Sequence, residues 1–488
     1  MAAAAVAVLG LAYATGSPGL RWSDEFVYAI VGRNLAEGRG FISNFYNPDA
    51  ILAKGFPLGD VHMPGHSLLL AASFRLLGVG EATALLPNQL SFILAALILA
   101  ALSHRAFGRP AALQTAALFL VFPVQAAVAN SAMSEPTLVL ITVLYLAVWC
   151  RARTRARLPL AAALGLLLGL GATHRETFLV FLPTACYALW RWPRPSRRRA
   201  FLVFGAVLAA WMALVFWPLY QRRAPFPHAF SDLVAAATGP RALLGAMADN
   251  VSSSVAGFPW WGREAWQWAN RAQHLTAGVA LVVALRSSGL RRELGLLAAF
   301  VHAATFAGLA LVYPLLEWRS VRMLVWSIPP ALVAIGAASW WAPPPRLGRR
   351  LAAALFLAAL CGASVAGTRW MARDRAAQHE FGVAYAQYLA RNLAAFPPRV
   401  MIAPKAYRYG WEAYPVAVVV WDVTDLGRVR ALEHRLDIDA IVVREEERRR
   451  FLRGLANDAY RGEYQLADPA PFDGRYYLFV NTARRGAP

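Results

Sequence analysis

Residues 200–219 read AFLVFGAVLAAWMALVFWPL, twenty positions without a charged side chain. Residues 351–368, LAAALFLAALCGASVAGT, repeat the pattern. About 20 apolar residues in helical form span the hydrocarbon of a bilayer. A surface helix of a soluble domain would carry a polar stripe at helical spacing, and these runs carry none. The whole chain agrees: of 488 residues, 58% are hydrophobic and 16% charged, where a soluble protein has about a quarter charged.

Working outward, further apolar runs lie near 1–17, 84–103, 110–129, 135–150, 158–174, 176–191, 267–285, 293–313 and 321–341. Together with the two quoted runs they predict about 11 spans. A shorter apolar helix, His66–Leu77, precedes the second of them. The first run lacks a basic leader and is read as a span, not a cleaved signal.

The net charge of +21 does not mark a nucleic-acid-binding protein, because the arginines sit in short connectors between apolar runs. Seventeen of them fall after alternate spans: Arg105 and Arg109; Arg151, Arg153, Arg155 and Arg157; Arg191, Arg194, Arg197, Arg198 and Arg199; Arg286, Arg291 and Arg292; Arg346, Arg349 and Arg350. The short opposite connectors hold only Arg175 and Arg319. Basic connectors stay in the cytoplasm. This predicts an inner (plasma) membrane protein whose segment 18–65, loop 220–266 and C-terminal part lie outside the cytoplasm. Lysine occurs only at Lys54 and Lys405, a bias of GC-rich bacterial genomes. Cys150, Cys186 and Cys361 lie apart in apolar runs and spell no disulfide framework or zinc motif.

From Arg369 the character changes. Ala376–Ala395 reads as an amphipathic helix; Val400–Ala403, Ala417–Trp421, Ala440–Arg444 and Tyr476–Asn481 read as strands, with Leu426–Leu436 as a helix between two of them. The expected organisation is a polytopic all-α membrane domain over 1–370, with its catalytic first loop at 18–65. A C-terminal extracytoplasmic α/β domain follows over 371–488.

Chemistry concentrates in that first loop. Ser23-Asp24-Glu25-Phe26-Val27-Tyr28 opens a helix that ends near Gly38-Arg39-Gly40. Acidic residues there offset the helix dipole by a few tenths to about 1 kcal/mol. A carboxylate at a membrane surface is also placed to take a proton from a hydroxyl nucleophile. His62 and His66 bracket a Met63-Pro64-Gly65 turn, where they can meet acceptor, donor phosphate or a divalent metal. No metal is assigned. Glu135 opens a span, as a cap or a cavity residue, and Asp49 and Asp60 read as turn residues. Phe258-Pro259-Trp260-Trp261, with Trp266 and Trp268, reads as an interfacial belt.

Asp24-Glu25 with Tyr28 and Gly38-Arg39-Gly40 resembles the first extracytoplasmic loop of the GT-C membrane glycosyltransferases. The likeness is to the family 39-like bacterial relatives of protein O-mannosyltransferases and aminoarabinose transferases. Met63-Pro64-Gly65-His66-Ser67-Leu68-Leu69-Leu70, then Phe74-Arg75-Leu76-Leu77-Gly78, resembles that group's Pro-Pro-Gly/Leu-Tyr motif and the helix after it. Ser134-Glu135, Thr173-His174-Arg175-Glu176 ending in Leu182-Pro183, and Arg319 through Pro329-Pro330 match in kind and order. The resemblance covers most of residues 10–340. Gly65 and His66 replace the usual second proline and tyrosine, and His174 and Glu176 flank Arg175 where Thr-Arg-Pro-Glu is commoner.

The resemblance implies transfer of a sugar, with inversion, from a polyprenyl-phosphate donor to an extracytoplasmic acceptor: a glycan, lipid or protein. It implies Asp24 as base with Glu25 beside it. Arg175, Arg319 and Arg322 would bind the donor phosphate, and Tyr28, His62, His66 and Glu135 the substrates. Membrane lipids are the remaining partners expected, and nucleic acid is not one. The rival readings are a polytopic transporter and a non-catalytic cell-envelope assembly protein. Against the transporter stand the apolar middles of the spans and the lack of a clear repeat.

Overall fold

The computed structural model describes residues 20, 23–46, 48, 51–52, 62–120, 122, 128–221, 239–256, 265–312, 324–337, 347–395, 397–419, 426–457, 460 and 462–484. The expected first span and the Trp260-Trp261 pair lie outside them. Two compact units emerge. One comprises 1–18, 85–220 and 228–373; the other joins 19–84 and 221–227 to 374–488.

The first unit is helical. Glu81–Phe107, Glu135–Ala152 and Arg194–Tyr220 are long and apolar enough to cross a membrane, with mean hydropathies of 2.0, 1.4 and 2.3. Leu158–His174 follows the predicted span residue for residue. The expected span at 176–191 begins as a 3₁₀ turn, Glu176–Phe181, and becomes α-helical at Leu182–Trp190, where Pro183 takes the first-turn position that tolerates its missing amide. A π turn at Met212–Phe216 interrupts the 200–219 run. Pro218, two residues past the end of that turn, cannot donate to the ladder, and the register shifts before it.

Asn88 holds two of these helices together. Its amide donates to the carbonyls of Ser131 and Met133, and its oxygen accepts from Thr137 Oγ1 at 3.1 Å. Away from water such bonds satisfy groups that lipid cannot. Glu293 lies 2.6 Å from Arg153 and 2.8 Å from Arg191, so three of the arginine-rich connectors meet at one carboxylate, on one side of this unit.

The spans are not apolar through their middles. Ser327 Oγ donates to the Leu324 carbonyl at 2.7 Å, so it must accept from His302 Nδ1 at 2.8 Å. His302 Nε2 then accepts from His274 Nδ1, also at 2.8 Å. His274 lies halfway along Ala265–Leu285, and His302 just past the midpoint of Gly289–Val312. A single histidine barely changes the hydropathy of a helix, and a separation of 28 residues gives the sequence no sign that the two pair.

The second unit is built on a six-stranded sheet in the order β1 (Phe45–Tyr46), β3 (Ala417–Val419), β2 (Val400–Ile402), β4 (Ala440–Arg444), β6 (Tyr476–Asn481), β5 (Tyr464–Leu466). β1, β3, β2 and β4 run parallel, and β6 and β5 are antiparallel. The strands at 440–444 and 476–481 match expectation, and those beginning at 400 and 417 start where predicted. In the parallel strands β3 and β4 the apolar residues are buried in a continuous run, as strands covered on both faces require. Phe451, from the helix Glu445–Ala456, packs on Tyr460 and Phe479 at centroid distances of 4.8 and 4.9 Å. On Leu347–Leu393, Tyr385 stacks on Phe472 at 4.9 Å.

The edge strand β1 belongs to the first loop. Phe45 and Tyr46 pair with Val418 and Val419, some 370 residues away in sequence. This sheet therefore contains residues that the division at 370/371 assigned elsewhere.

The first loop is clamped to the C-terminal segment at a second point. The helix Ser23–Ala36 ends in a reciprocal pair of bonds, Arg39 N to Asn34 O at 2.8 Å and Gly38 N to Leu35 O at 3.2 Å, with Gly38 at φ +79°. This left-handed cap is the reason a glycine stands at 38. Beyond it, the Tyr414 hydroxyl lies 2.6 Å from Asn34 Oδ1 and 2.8 Å from Glu37 Oε2, sharing its one proton between two acceptors. The Arg33 guanidinium covers the Tyr414 ring at 3.7 Å while its Nε donates to Glu37 at 3.0 Å. Burial alone would raise the Glu37 carboxyl; the bonds from Arg33 and Tyr414 and the charges of Arg33 and Arg39 hold it below its ordinary range. The carboxylate's contribution to stability is therefore present at neutral pH and is lost as pH falls through that depressed value. Tyr414→Phe removes the hydroxyl and keeps the ring. It should cost about 1 kcal/mol and move acid unfolding to higher pH, read by tryptophan fluorescence against pH.

Candidate active site

Asp24 stands at the start of the Ser23–Ala36 helix, its side chain 31% exposed and accepting a 3.4 Å hydrogen bond from Ser23 Oγ. Successive helical residues diverge by about 100°, and here that separates the two acids: Glu25 is fully buried. Asp24 is the one that solvent can reach.

Tyr28 and Gly32 follow Asp24 at four-residue intervals, on the same helical face. At Gly32 the face meets the helix Pro64–Leu77 so closely that a Cβ would lie 2.8 Å from Leu70 Cβ. That approach brings the Met63-Pro64-Gly65 turn against the acidic end. Met63 is extended (φ −69°, ψ 141°), as a residue before proline prefers, and Pro64 starts the helix. His62 consequently precedes the helix and His66 lies in its first turn. His62 Nε2 is 3.9 Å from Asp24 Oδ1. The Tyr28 ring is 4.7 Å from His62 and meets the buried His66 edge-on at 5.1 Å. Four of the residues singled out from sequence thus gather at one place. Asp24 and His62 are the groups that could hold a divalent cation; among the described residues no three His, Cys, Asp or Glu side chains converge on a metal-binding point.

Sequence reading missed one member. Tyr407 opens the short helix Tyr407–Glu412 of the C-terminal segment, its ring 5.1 Å from Phe45. Burial, and next the negative charge of Asp24, push its phenol up to about 12. No local signal marks it, because its neighbour in space is 383 positions away.

Glu135 and Arg175 belong to the other unit. Arg175 ends the helix Leu158–His174 in extended conformation. Its Nη2 donates to Glu135 Oε1 at 3.0 Å, with Glu135 1% and Arg175 17% exposed. The structure pairs the expected substrate carboxylate with the expected phosphate ligand: Glu135 holds Arg175. The buried Nε of Arg175 makes no hydrogen bond among the described residues. Neighbouring His174 is buried, its Nδ1 on the Leu170 carbonyl at 3.1 Å. Arg319 and Arg322 lie outside the described residues.

Residues 61–218 match the family described as dolichyl-phosphate-mannose-protein mannosyltransferase. The fold is similar to that of ArnT from Cupriavidus metallidurans bound to undecaprenyl phosphate, with a TM-score of 0.60 and 16% identity over 100% of this chain and 98% of that one. It is also similar to the oligosaccharyltransferase of Archaeoglobus fulgidus in its apo form, with a TM-score of 0.58 and 11% identity over 91% of this chain and 69% of that one. A comparison with curated protein sequences returns no match. Residues 61–218 thus carry the match to the mannosyltransferase family, and the fold of the chain as a whole is similar to that of ArnT.

Proposed function

We propose that the protein transfers a sugar from a polyprenyl-phosphate carrier to a hydroxyl-bearing acceptor outside the cytoplasm, with Asp24 as base. The observation that carries this reading is the gathering of Asp24, Tyr28, His62 and His66 at one helix start, in a chain with the fold of an enzyme solved with undecaprenyl phosphate. In the reaction, the acceptor O–H proton passes to the Asp24 carboxylate while the acceptor oxygen bonds to the anomeric carbon. The bond from that carbon to the phosphate oxygen breaks, and the lipid phosphate leaves with the electron pair. A single displacement of this kind inverts the anomeric centre. The growing charge on the phosphate calls for a fixed cation. Arg175, held by Glu135 and with its Nε unbonded, suits that task, and Arg319 and Arg322 are proposed alongside it.

The His274–His302–Ser327 chain, with His302 and Ser327 buried, is a feature that a transporter would share. The fold and the family match favour the transferase. The test is transfer from a panel of radiolabelled undecaprenyl-phosphate sugars, with the full-length protein in membrane vesicles and cell-envelope extract as acceptor. Labelled product is expected; none from any donor would overturn the reading. An alkaline phosphatase fused after residue 380 should be active, and an inactive fusion would invert the proposed orientation.

A further inference from the structure

Three helices long and apolar enough to cross a membrane meet at one end of the helical unit. Glu81–Phe107 and Glu135–Ala152 finish there, and Arg194–Tyr220 begins there. Contacts tie these ends together. Glu293 bridges Arg153 and Arg191, which holds the connectors at 151–157 and 191–199 to the start of Gly289–Val312. The Trp192 indole donates to the Ala152 carbonyl. The Arg291 guanidinium lies over the Phe107 ring at 5.7 Å, which brings in the connector at 105–109. The connectors 105–109, 151–157, 191–199 and 286–293 together carry fourteen arginines and one acid, Glu293. One carboxylate cannot neutralise them. Like charges gathered on one surface repel, and they draw anions to it.

The neighbours of these arginines indicate which anion. On the helix that starts at Arg194, Arg198 comes one turn later and Leu202 one turn after that, so the three share a face. All three are exposed, Leu202 to 72%. Trp190 is 64% exposed, with the Arg197 guanidinium over its ring at 4.5 Å. Leu285, next to Arg286, is exposed as well. Guanidinium groups and bare apolar side chains therefore lie side by side. A soluble polyanion would satisfy only the first kind. A phospholipid brings a phosphate and hydrocarbon in one molecule, and the arginine fork fits phosphate oxygens bidentately.

We propose that this arginine face is a binding site for anionic phospholipid. Arg194, Arg198 and Arg199 take the headgroup phosphate, and Trp190 and Leu202 meet the start of the acyl chains. Glu293 holds the connectors in place and does not touch the lipid. Bound lipid relieves the repulsion among the arginines, so it stabilises the helical unit as well as anchoring it. The inference uses none of the residues assigned to sugar transfer.

The experiment uses the full-length protein, purified in neutral detergent and stripped of lipid. Palmitoyl-oleoyl phosphatidylglycerol, or the phosphatidylcholine with the same chains, is titrated in, and bound lipid is counted by native mass spectrometry. Phosphatidylglycerol should bind about tenfold or more tightly than phosphatidylcholine. It should also raise the melting temperature, because a ligand of the folded state stabilises that state. Each arginine at an anionic lipid surface strengthens binding about fivefold. R194Q/R198Q/R199Q should therefore weaken phosphatidylglycerol binding about 100-fold and leave phosphatidylcholine binding unchanged. R399Q/R449Q/R453Q removes the same charge from exposed positions of the other unit and should bind as wild type does. Equal affinity for the two lipids overturns the proposal, and so does wild-type affinity in R194Q/R198Q/R199Q. An equal loss in R399Q/R449Q/R453Q overturns it too, by reducing the effect to net charge. Glycerol 1-phosphate carries the anion without the chains. Its displacing phosphatidylglycerol at equal concentration would make the occupant a soluble phosphate and overturn the assignment to lipid.

Discussion

Asp24→Asn is expected to lower sugar transfer by about 100- to 10,000-fold, the range that a positioned general base contributes. The substitution is nearly isosteric. Asparagine still accepts the Ser23 hydroxyl bond and still lies beside His62, so the geometry around the helix start should persist. Asp24 is partly exposed, so its near-isosteric replacement opens no cavity. The structural loss is the favourable placement of one negative charge at a helix N-terminus, a few tenths of a kcal/mol. The kinetic signature should be a fall in kcat with donor KM retained, because the base acts on the acceptor's proton and the donor is held elsewhere. Transfer at the wild-type rate would remove Asp24 as base. Glu25, one residue on, cannot substitute from where it lies, because the helix directs it into the interior.

Arg175→Ala carries the second large effect, and this one is on stability. It leaves Glu135, 1% exposed, without its guanidinium partner. Removing one member of a buried pair costs about 3–5 kcal/mol, because the remaining charge stays desolvated. Arg175 is itself 17% exposed, which places the expected loss at the lower end of that range. It should appear as an earlier melting transition in detergent. The double variant E135Q/R175Q removes both charges together and should recover most of that stability, as replacements of whole buried pairs do. Comparing the two separates Arg175's roles. If it also binds the donor phosphate, the double variant melts nearly like wild type yet shows a donor KM raised about tenfold or more, the scale of a lost charged hydrogen bond. A double variant with wild-type donor KM would restrict Arg175 to holding the fold.

The helical part of the fold was legible because the property that builds it is local. Leu158–His174 and the helix around residues 84–103 follow from run length and composition alone. The strands at 440–444 and 476–481 were visible for the same reason: a buried strand announces itself as a short β-branched or aromatic run. β1 was not. Two residues, Phe45 and Tyr46, are too few to display any period, and what makes them a strand is a ladder offered by Val418 and Val419. His274 and His302 were each visible as letters. Only the packing of one helix on the other turns them into a hydrogen-bonded chain that lipid could not replace.

The site divides in the same way. Asp24, Tyr28, His62 and His66 could be found from sequence because each lies within a turn of a helix start and within a few dozen residues of the others. Glu135 and Arg175 could also be found, but as two separate candidates. Their bond joins elements 40 residues apart, and only the packing of those elements makes them a pair. Tyr407 and Tyr414 carried no signal.

For this protein the sequence by itself determined the membrane character, most helix positions and the acids and histidines of the first loop. All of these depend on side-chain chemistry at short range. The tertiary structure alone decided that the first loop donates a strand to the C-terminal sheet, that Glu25 is buried while Asp24 is not, and that Tyr407 packs edge-on against Phe45. Those facts depend on which surfaces meet. Contact between residues hundreds of positions apart is set by the sum of many weak burial terms, and no single stretch of the chain records it.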